Sequence, residues 1–265
     1  MTMWSTKGKD RYPVRYTDEP PVNSYLQTFF EKYASISKTE LGDHLLKIRE
    51  NSWNIVNFPC IGLWYFIDLS ILKNPIYNEV VDRCKNDGAT LIDFACCFGH
   101  DIRLWIYDGV PIQQLRGYDI DSRFIEQGYQ LFRDEKLMKD NHVFQSADIF
   151  DDQFLEKVQP ADYVHAGFFI HLFDEKTQHD VCRRLTRLSK NAIFGRQIGA
   201  VIPEERYLPV GMTDAKMMCH SPSSFANMWN EATNGQWKVE HTNIEEIEQY
   251  GNLFQMLIFV VRKIN

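Results

Sequence analysis

From Gly88 onward the chain alternates short apolar runs with amphipathic stretches. Ala89–Phe94, Gln114–Asp119, His142–Ala147, Ala161–Ala166 and Ala192–Ile198 read as buried strands, each closed off by turn residues. Between them, Asp101–Tyr107, Ser122–Leu131, Phe154–Val158 and Glu175–Leu188 carry helical spacing, with Val181, Leu185 and Leu188 on one face of the last. Repeated strand–helix units joined by short loops call for a mostly parallel sheet covered on both faces. The tail changes character. Ser223–Glu231 reads as a helix, with Ser221 or Ser223 as its cap and Pro222 near its start. Trp237–His241 and Phe254–Arg262 follow as two strands, the second able to close the sheet as a hairpin.

The first third has no such rhythm. Residues 1–20 are polar and proline-containing and read as an arm. Ser24–Ile48 is mainly helical, with Tyr25, Phe29, Phe30 and Tyr33 on related faces. Asn54–Ile67 is aromatic-rich and broken by Pro59 and Gly62, and Pro75 starts a helix carrying Val80 and Val81. The expected organisation is an arm and helical lid over residues 1–87, forming part of a substrate pocket, and a ligand-binding α/β domain over residues 88–265.

Composition narrows the partners. A chain of 265 residues suits one decorated α/β domain, and a formal charge of −7 offers no basic surface to nucleic acid or anionic lipid. Arg183, Arg184 and Arg187 fall on a helix and read as a solvated face. Six cysteines occur without a CxxC pair or a Cys/His metal pattern, so no metal is expected and the thiols read as reduced. No apolar stretch has signal-peptide or membrane-spanning character, which makes a soluble cytoplasmic protein the expectation. A homodimer through the lid is allowed, and no feature demands it.

The chemistry concentrates in "DFACCFGHD", residues 93–101. A turn between a first strand and its helix must let backbone approach a ligand, which favours glycine. Here Ala95 and Cys97 stand in its place and only Gly99 keeps full freedom; small residues also suit plain helix–sheet packing. Asp119, ending strand two, sits where a carboxylate can accept both ribose hydroxyls of a nucleoside, which suits NAD and S-adenosylmethionine equally. Asp121 reads as the cap of the next helix. Asp93 and Asp101 separate the two donors, because carboxylates repel pyrophosphate and suit a cationic amino group and sulfonium. In "QSADIFD", Ala147, Asp148 and Ile149 can receive and cover an adenine, although Asp148 also reads as a helix cap.

For the acceptor side, His171 lies just past a strand end and can take a proton near neutrality, which makes it the candidate catalytic base. His165 falls inside a strand and reads as structural, and His100 lies beside the turn. The irregular turn through Cys60 and Ile61, with Trp64 beyond it, is where substrate contact is expected. Trp53, Phe58, Trp64 and Phe66 are dense enough to be either core or pocket wall. Tyr25 can reach the donor's carboxylate, and Arg196 can pair with an acidic acceptor.

On these residues the sequence resembles the class I S-adenosylmethionine-dependent methyltransferases. Asp93–Gly99 corresponds to their first motif, Asp119 and Ile120 to the acidic position after strand two, Asp148 to the adenine-side motif, and "ADYVHAGFFIHLFDE" to the segment after strand four. There Ala166 to Phe168, with Gly167 between them, would line the methionine side. The resemblance implies a Rossmann-like, seven-stranded, mostly parallel sheet with the last strand antiparallel, and S-adenosylmethionine as cofactor. "YTDEPP", "NFPCIGLWYFIDL", "DFACCFGHD" and "GFFIHLF" are similar, more narrowly, to small fungal polyketide and meroterpenoid O-methyltransferases. That implies methylation of a carboxyl or an enolic or phenolic hydroxyl of a small metabolite. Two other readings stand beside it. One is a non-catalytic scaffold of the same fold, suggested by Ala95 and Cys97. The other is an NAD-dependent oxidoreductase, disfavoured by the missing glycines and by the lack of a Tyr-xxx-Lys pair after strands four or five.

Overall fold

The computed structural model describes residues 17–56, 58–207, 215–249 and 251–264. Most of the expected arm, residues 1–16, therefore lies outside the described residues. The lid begins with α1 (Ser24–Ala34), capped by the Asn23 side chain, which accepts the Leu26 N–H at 2.8 Å. Ser35 takes a left-handed φ of 55° and stops α1, and α2 (Lys38–Trp53) starts after Ser37. The single helical stretch read over Ser24–Ile48 is thus two helices. A short turn, α3 (Pro59–Gly62), and α4 (Tyr77–Asp87) complete the lid.

The α/β part runs β1 (Leu91–Phe94), α5 (His100–Tyr107), β2 (Leu115–Asp119), α6 (Ser122–Phe132), α7 (Glu135–Asp140), β3 (Phe144–Ser146), α8 (Asp152–Lys157), β4 (Ala161–His165), α9 (Glu175–Leu188) and β5 (Ser189–Ile198). A small hairpin of β6 (Glu204–Tyr207) and β7 (Lys216–Cys219) follows, then α10 (Pro222–Ala232), β8 (Trp237–Gln249) and β9 (Asn252–Lys263). The seven-stranded sheet has the order β3-β2-β1-β4-β5-β9-β8. Strands β1 to β5 are parallel, and β9 runs antiparallel to both of its neighbours. The chain reverses its winding between β1 and β4, and ligands of open α/β sheets bind at the strand ends beside such a reversal.

Two apolar cores sandwich the sheet. One merges the lid with α5 and α6 through Phe29, Phe30, Leu41, Trp64, Trp105 and Phe132. The other packs α9 and α10 through Val181, Leu185, Phe225 and Trp229. Ser221 caps α10 in a reciprocal box with Ser224. Among the described residues no helix is long and apolar enough to cross a membrane.

One polar clamp is buried in the first core. Arg103, fully buried on α5, donates from Nε and Nη2 to the two oxygens of Asp134, both at 2.7 Å, and from Nη1 to the Phe98 carbonyl at 2.6 Å. Its guanidinium lies 4.6 Å from the centre of the Phe132 ring and 4.9 Å from that of Phe144. Tyr33 of the lid donates to Asp134 at 3.0 Å. The turn after β1, the loop after α6 and the lid are thereby tied to one another.

Candidate active site

A cavity of about 670 Å³ opens at the carboxyl ends of β1, β2, β3 and β4. Such a volume falls within the ~300–1,000 Å³ of small-molecule sites. One half is walled by Asp93, Ala95, Cys97, His100, Asp101, Asp119, Ile120, Ala147, Asp148 and Ile149. The other is walled by Cys60, Tyr65, Phe66, Asp68, Gly167, Phe168, His171, Arg196, Met217 and Phe254.

The turn after β1 reaches its shape without glycine. Ala95 and Cys97 have φ values of 60° and 51°, the left-handed region that Gly99 also occupies at 64°. Trp64 and Phe168 share it, at 63° and 50°. These four side-chain-bearing residues lie in or beside the cavity wall, whereas Ser35, Arg133, His142 and Asn234, the other non-glycine cases among the described residues, lie at helix ends. A left-handed non-glycine residue costs ~1–2 kcal/mol, and glycine returns ~0.5–1 kcal/mol of that in chain entropy. Ala95→Gly is therefore expected to leave the denaturation midpoint unchanged or raise stability by up to ~1 kcal/mol. A loss larger than that on a urea curve would show that the Ala95 methyl packs more than it strains.

Asp119 closes β2 with both oxygens engaged by backbone. Oδ2 accepts the Cys97 N–H at 2.8 Å and Oδ1 the Asp121 N–H at 3.0 Å. The carboxylate is thereby fixed in the cavity wall with further lone pairs to offer. Burial raises its pKa, against the pull of those two N–H groups. Asp121 caps α6 through the Arg123 N–H. Asp148 binds the Phe150 N–H at 2.9 Å to shape the loop after β3, while Asp151 takes the capping role on α8.

Deeper in the same half, the sheet register places Asp93 opposite His165 on the neighbouring strand. Their Oδ1 and Nδ1 are 2.7 Å apart and buried. Burial opposes charge on His165, but Asp93 outweighs it and lifts the imidazole pKa above its usual value. Asp101, in the first turn of α5, brings Oδ2 to 3.7 Å from the same nitrogen. Topology thus brings Asp93, Asp101 and His165 together, a grouping that chain spacing does not show.

In the aromatic half, His171 is buried, its Nδ1 has no hydrogen-bond partner among the described residues, and burial pushes its pKa down to about 3. Arg196, on β5, lies 4.7 Å from the centre of the Phe168 ring and 5.7 Å from that of Tyr65, and donates from Nη2 to Asp68. The Phe168 N–H holds the Arg196 carbonyl at 2.7 Å.

Four expected contacts are corrected by the structure. Tyr25 is 43% exposed and absent from the cavity lining; partial burial, then Asp108 and Tyr107 at the far end of α5, raise its hydroxyl pKa. Gly99 caps α5 at a left-handed φ, a Cβ there would collide with the Phe144 ring, and it is not among the residues that line the cavity. Ile61 is fully buried in the lid core. Trp64 points into that core too, donating Nε1–H to the Thr17 carbonyl at 3.2 Å with Arg49 stacked on its ring. Conversely, Asp68, Tyr65, Phe254 and Met217 line the cavity without having been singled out. The β6–β7 hairpin that brings Met217 is fastened by the Met218 N–H to the Phe173 carbonyl at 2.9 Å.

This strand order, with an acidic residue ending β2 above a tight turn, defines a class I methyltransferase fold. Residues 15–67 match the family model described as the meroterpenoid methyltransferase N-terminal domain. The chain is similar to the O-methyltransferase atr3 of Stereocaulon alpinum, 32% identical over 262 residues that cover 95% of this chain and 74% of that one. It is similar to the O-methyltransferase phiE of a fungal species (strain ATCC 74256), 28% identical over 85% of this chain and 77% of that one. A solved magnesium protoporphyrin IX methyltransferase from Synechocystis PCC 6803 superposes with a TM-score of 0.47 and 11% identity, covering 71% of this chain and 77% of that one. The chain belongs to the class I S-adenosylmethionine-dependent methyltransferases related to fungal O-methyltransferases of secondary metabolism. It is an enzyme and its cofactor is S-adenosylmethionine, which sets aside both the oxidoreductase and the non-catalytic scaffold.

Proposed function

We propose that the enzyme methylates an oxygen that is already acidic, a carboxylate of a small polyketide or terpenoid acid. The observation that carries this reading is the acceptor half of the cavity: a cation, Arg196, held among aromatic rings and by Asp68 on one nitrogen, beside a histidine that burial keeps neutral. Aromatic walls suit an apolar acceptor and exclude water, and Arg196 suits an anionic end.

The donor half fits S-adenosylmethionine on its own terms. Asp119 presents a fixed carboxylate for the ribose hydroxyls, Ile120 and Ile149 offer faces for the adenine with Ala147 and Asp148 at its edge, and Asp93 and Asp101 offer negative charge for the amino group. When bound, the cofactor supplies a methyl group made electrophilic by its sulfonium. The protein's task is to align the acceptor oxygen with that methyl and to keep water out. A carboxylate needs no proton removed. A phenol does, and His171, with a pKa of about 3, is a poor acceptor for it.

His171→Ala is therefore expected to lower kcat less than about tenfold, a barrier change of under ~1.4 kcal/mol. Because about 3 lies far below the assay range, His171 stays neutral throughout, and kcat should show no inflection from it between roughly pH 5 and 8. Turnover of matched aromatic acids and phenols by both enzymes tests this. A loss of three orders of magnitude, with a limb near neutrality that His171→Ala removes, would point to hydroxyl methylation with His171 as base.

A further inference from the structure

We propose that Asp93, Asp101 and His165 form a site for a divalent transition-metal ion of the zinc class, and that an ion held there excludes the methyl donor. Three elements converge: Asp93 ends β1, His165 ends β4 beside it, and Asp101 enters from α5. Their ligating atoms all lie within 4.8 Å of one another, and all three residues are buried.

Asp101 is the observation that asks for a cation. It is only 8% exposed, its Oδ2 is turned toward His165, and among the described residues its buried Oδ1 has no hydrogen-bond partner. Its two oxygens instead face imidazole nitrogens at 3.6 Å, His100 Nε2, and 3.7 Å, His165 Nδ1. Those gaps are too long for hydrogen bonds. The gap from Asp101 Oδ2 to His165 Nδ1 is close to the ~3.4 Å between neighbouring ligands of a tetrahedral ion bound at ~2.0–2.2 Å, and Asp93 Oδ1 and His165 Nδ1, now hydrogen-bonded at 2.7 Å, would move apart to take it. Mixed imidazole and carboxylate donors suit zinc better than magnesium. An ion coordinated by Asp93 Oδ1, Asp101 Oδ2 and His165 Nδ1 takes the place of the proton now shared between Asp93 and His165, which leaves to solvent. Its fourth position opens on the cavity, which all three side chains line.

Exclusion of the donor rests on the reading above, that Asp93 and Asp101 receive the donor's ammonium group. A divalent ion on these two carboxylates neutralises them and repels the donor's ammonium group.

The test titrates the metal-free, full-length enzyme with Zn²⁺ by calorimetry, and in parallel with Co²⁺ followed by absorption. One ion per chain is expected, with Co²⁺ d–d bands and no thiolate charge-transfer band, and Asp101→Asn should weaken binding more than about tenfold. Among the described residues Asp101 Oδ1 has no hydrogen-bond partner to lose in that variant, and its melting curve checks the fold. S-Adenosylhomocysteine titrated at rising Zn²⁺ should show an apparent Kd that climbs in proportion to the metal. No uptake, uptake indifferent to Asp101→Asn, or a thiolate band would overturn the site. Unchanged S-adenosylhomocysteine affinity would overturn the exclusion. Failure of the donor reading would appear separately, as no binding of S-adenosylhomocysteine to the metal-free enzyme.

Discussion

Asp119→Ala is expected to weaken S-adenosylhomocysteine binding about 100-fold while leaving a folded protein. Hydrogen bonds to a charged group contribute ~1.5–3 kcal/mol each, and two ribose hydroxyls lost together, less the relief of desolvating a buried carboxylate, leave a net of about 3 kcal/mol. The substitution also removes the acceptor for the Cys97 N–H, so the turn that carries the left-handed Ala95 and Cys97 loses its tether. Asp119→Asn separates the two effects. Its one remaining carbonyl oxygen can still hold the Cys97 N–H, and it offers the ribose a neutral acceptor in place of a charged one, so a loss nearer tenfold is expected. Calorimetry with S-adenosylhomocysteine, alongside thermal melting, measures both variants. Full affinity in a folded Asp119→Ala protein would remove Asp119 from the donor site.

The second large effect is structural and reaches the site indirectly. Asp134→Ala leaves the Arg103 guanidinium buried and uncompensated, a change that costs ~3–5 kcal/mol. Set against a total stability of ~5–15 kcal/mol for a native protein, that is enough to unfold much of the chain on warming. Replacing both partners, Arg103→Leu with Asp134→Leu, should recover at least half of the loss, because a buried ion pair is worth little more than well-packed apolar groups. Donor affinity should not recover with it. Arg103 also holds the Phe98 and Gly99 carbonyls at 2.6 and 3.2 Å, and without it the turn beneath the donor loosens. Urea denaturation and S-adenosylhomocysteine titration of the three proteins check this. Full recovery of both properties would reduce the clamp to a packing element.

The central parallel strands β1 and β4 are legible because each is a largely apolar run buried on both faces, and the helices between the strands because polar residues alternate at helical spacing. The same logic hides other elements. The outer half of β8, "TNIEEIEQ", is an edge strand whose polar side chains mask its pairing with β9. The β6–β7 hairpin has no apolar run of its own, since Glu204 and Glu205 pair with Cys219 and Met218.

Within the site, Asp119 and Asp148 are readable from their place after strands. The union of Asp93 with His165 depends on strand adjacency and register between residues far apart in the chain, which spacing does not encode. Aromatic residues mislead in both directions: Trp64 turns inward at a left-handed φ, whereas Phe168, with the same backbone geometry, is in the cavity wall. His171 shows the limit of reading residue type alone. Its place beyond β4 is visible in the sequence, but the burial that strips it of basicity is a property of the packed structure.

The acceptor chemistry is tested most directly by the fate of the transferred methyl group. The enzyme is incubated with methyl-tritiated S-adenosylmethionine and a panel of polyketide and terpenoid acids with matched phenols, and the labelled product is then treated with mild alkali. Methylation of a carboxylate predicts an ester, so tritium should leave as volatile methanol. Label that stays on the acceptor through alkali would mean an ether, and would contradict the assignment of a carboxylate acceptor and of a site without a working base.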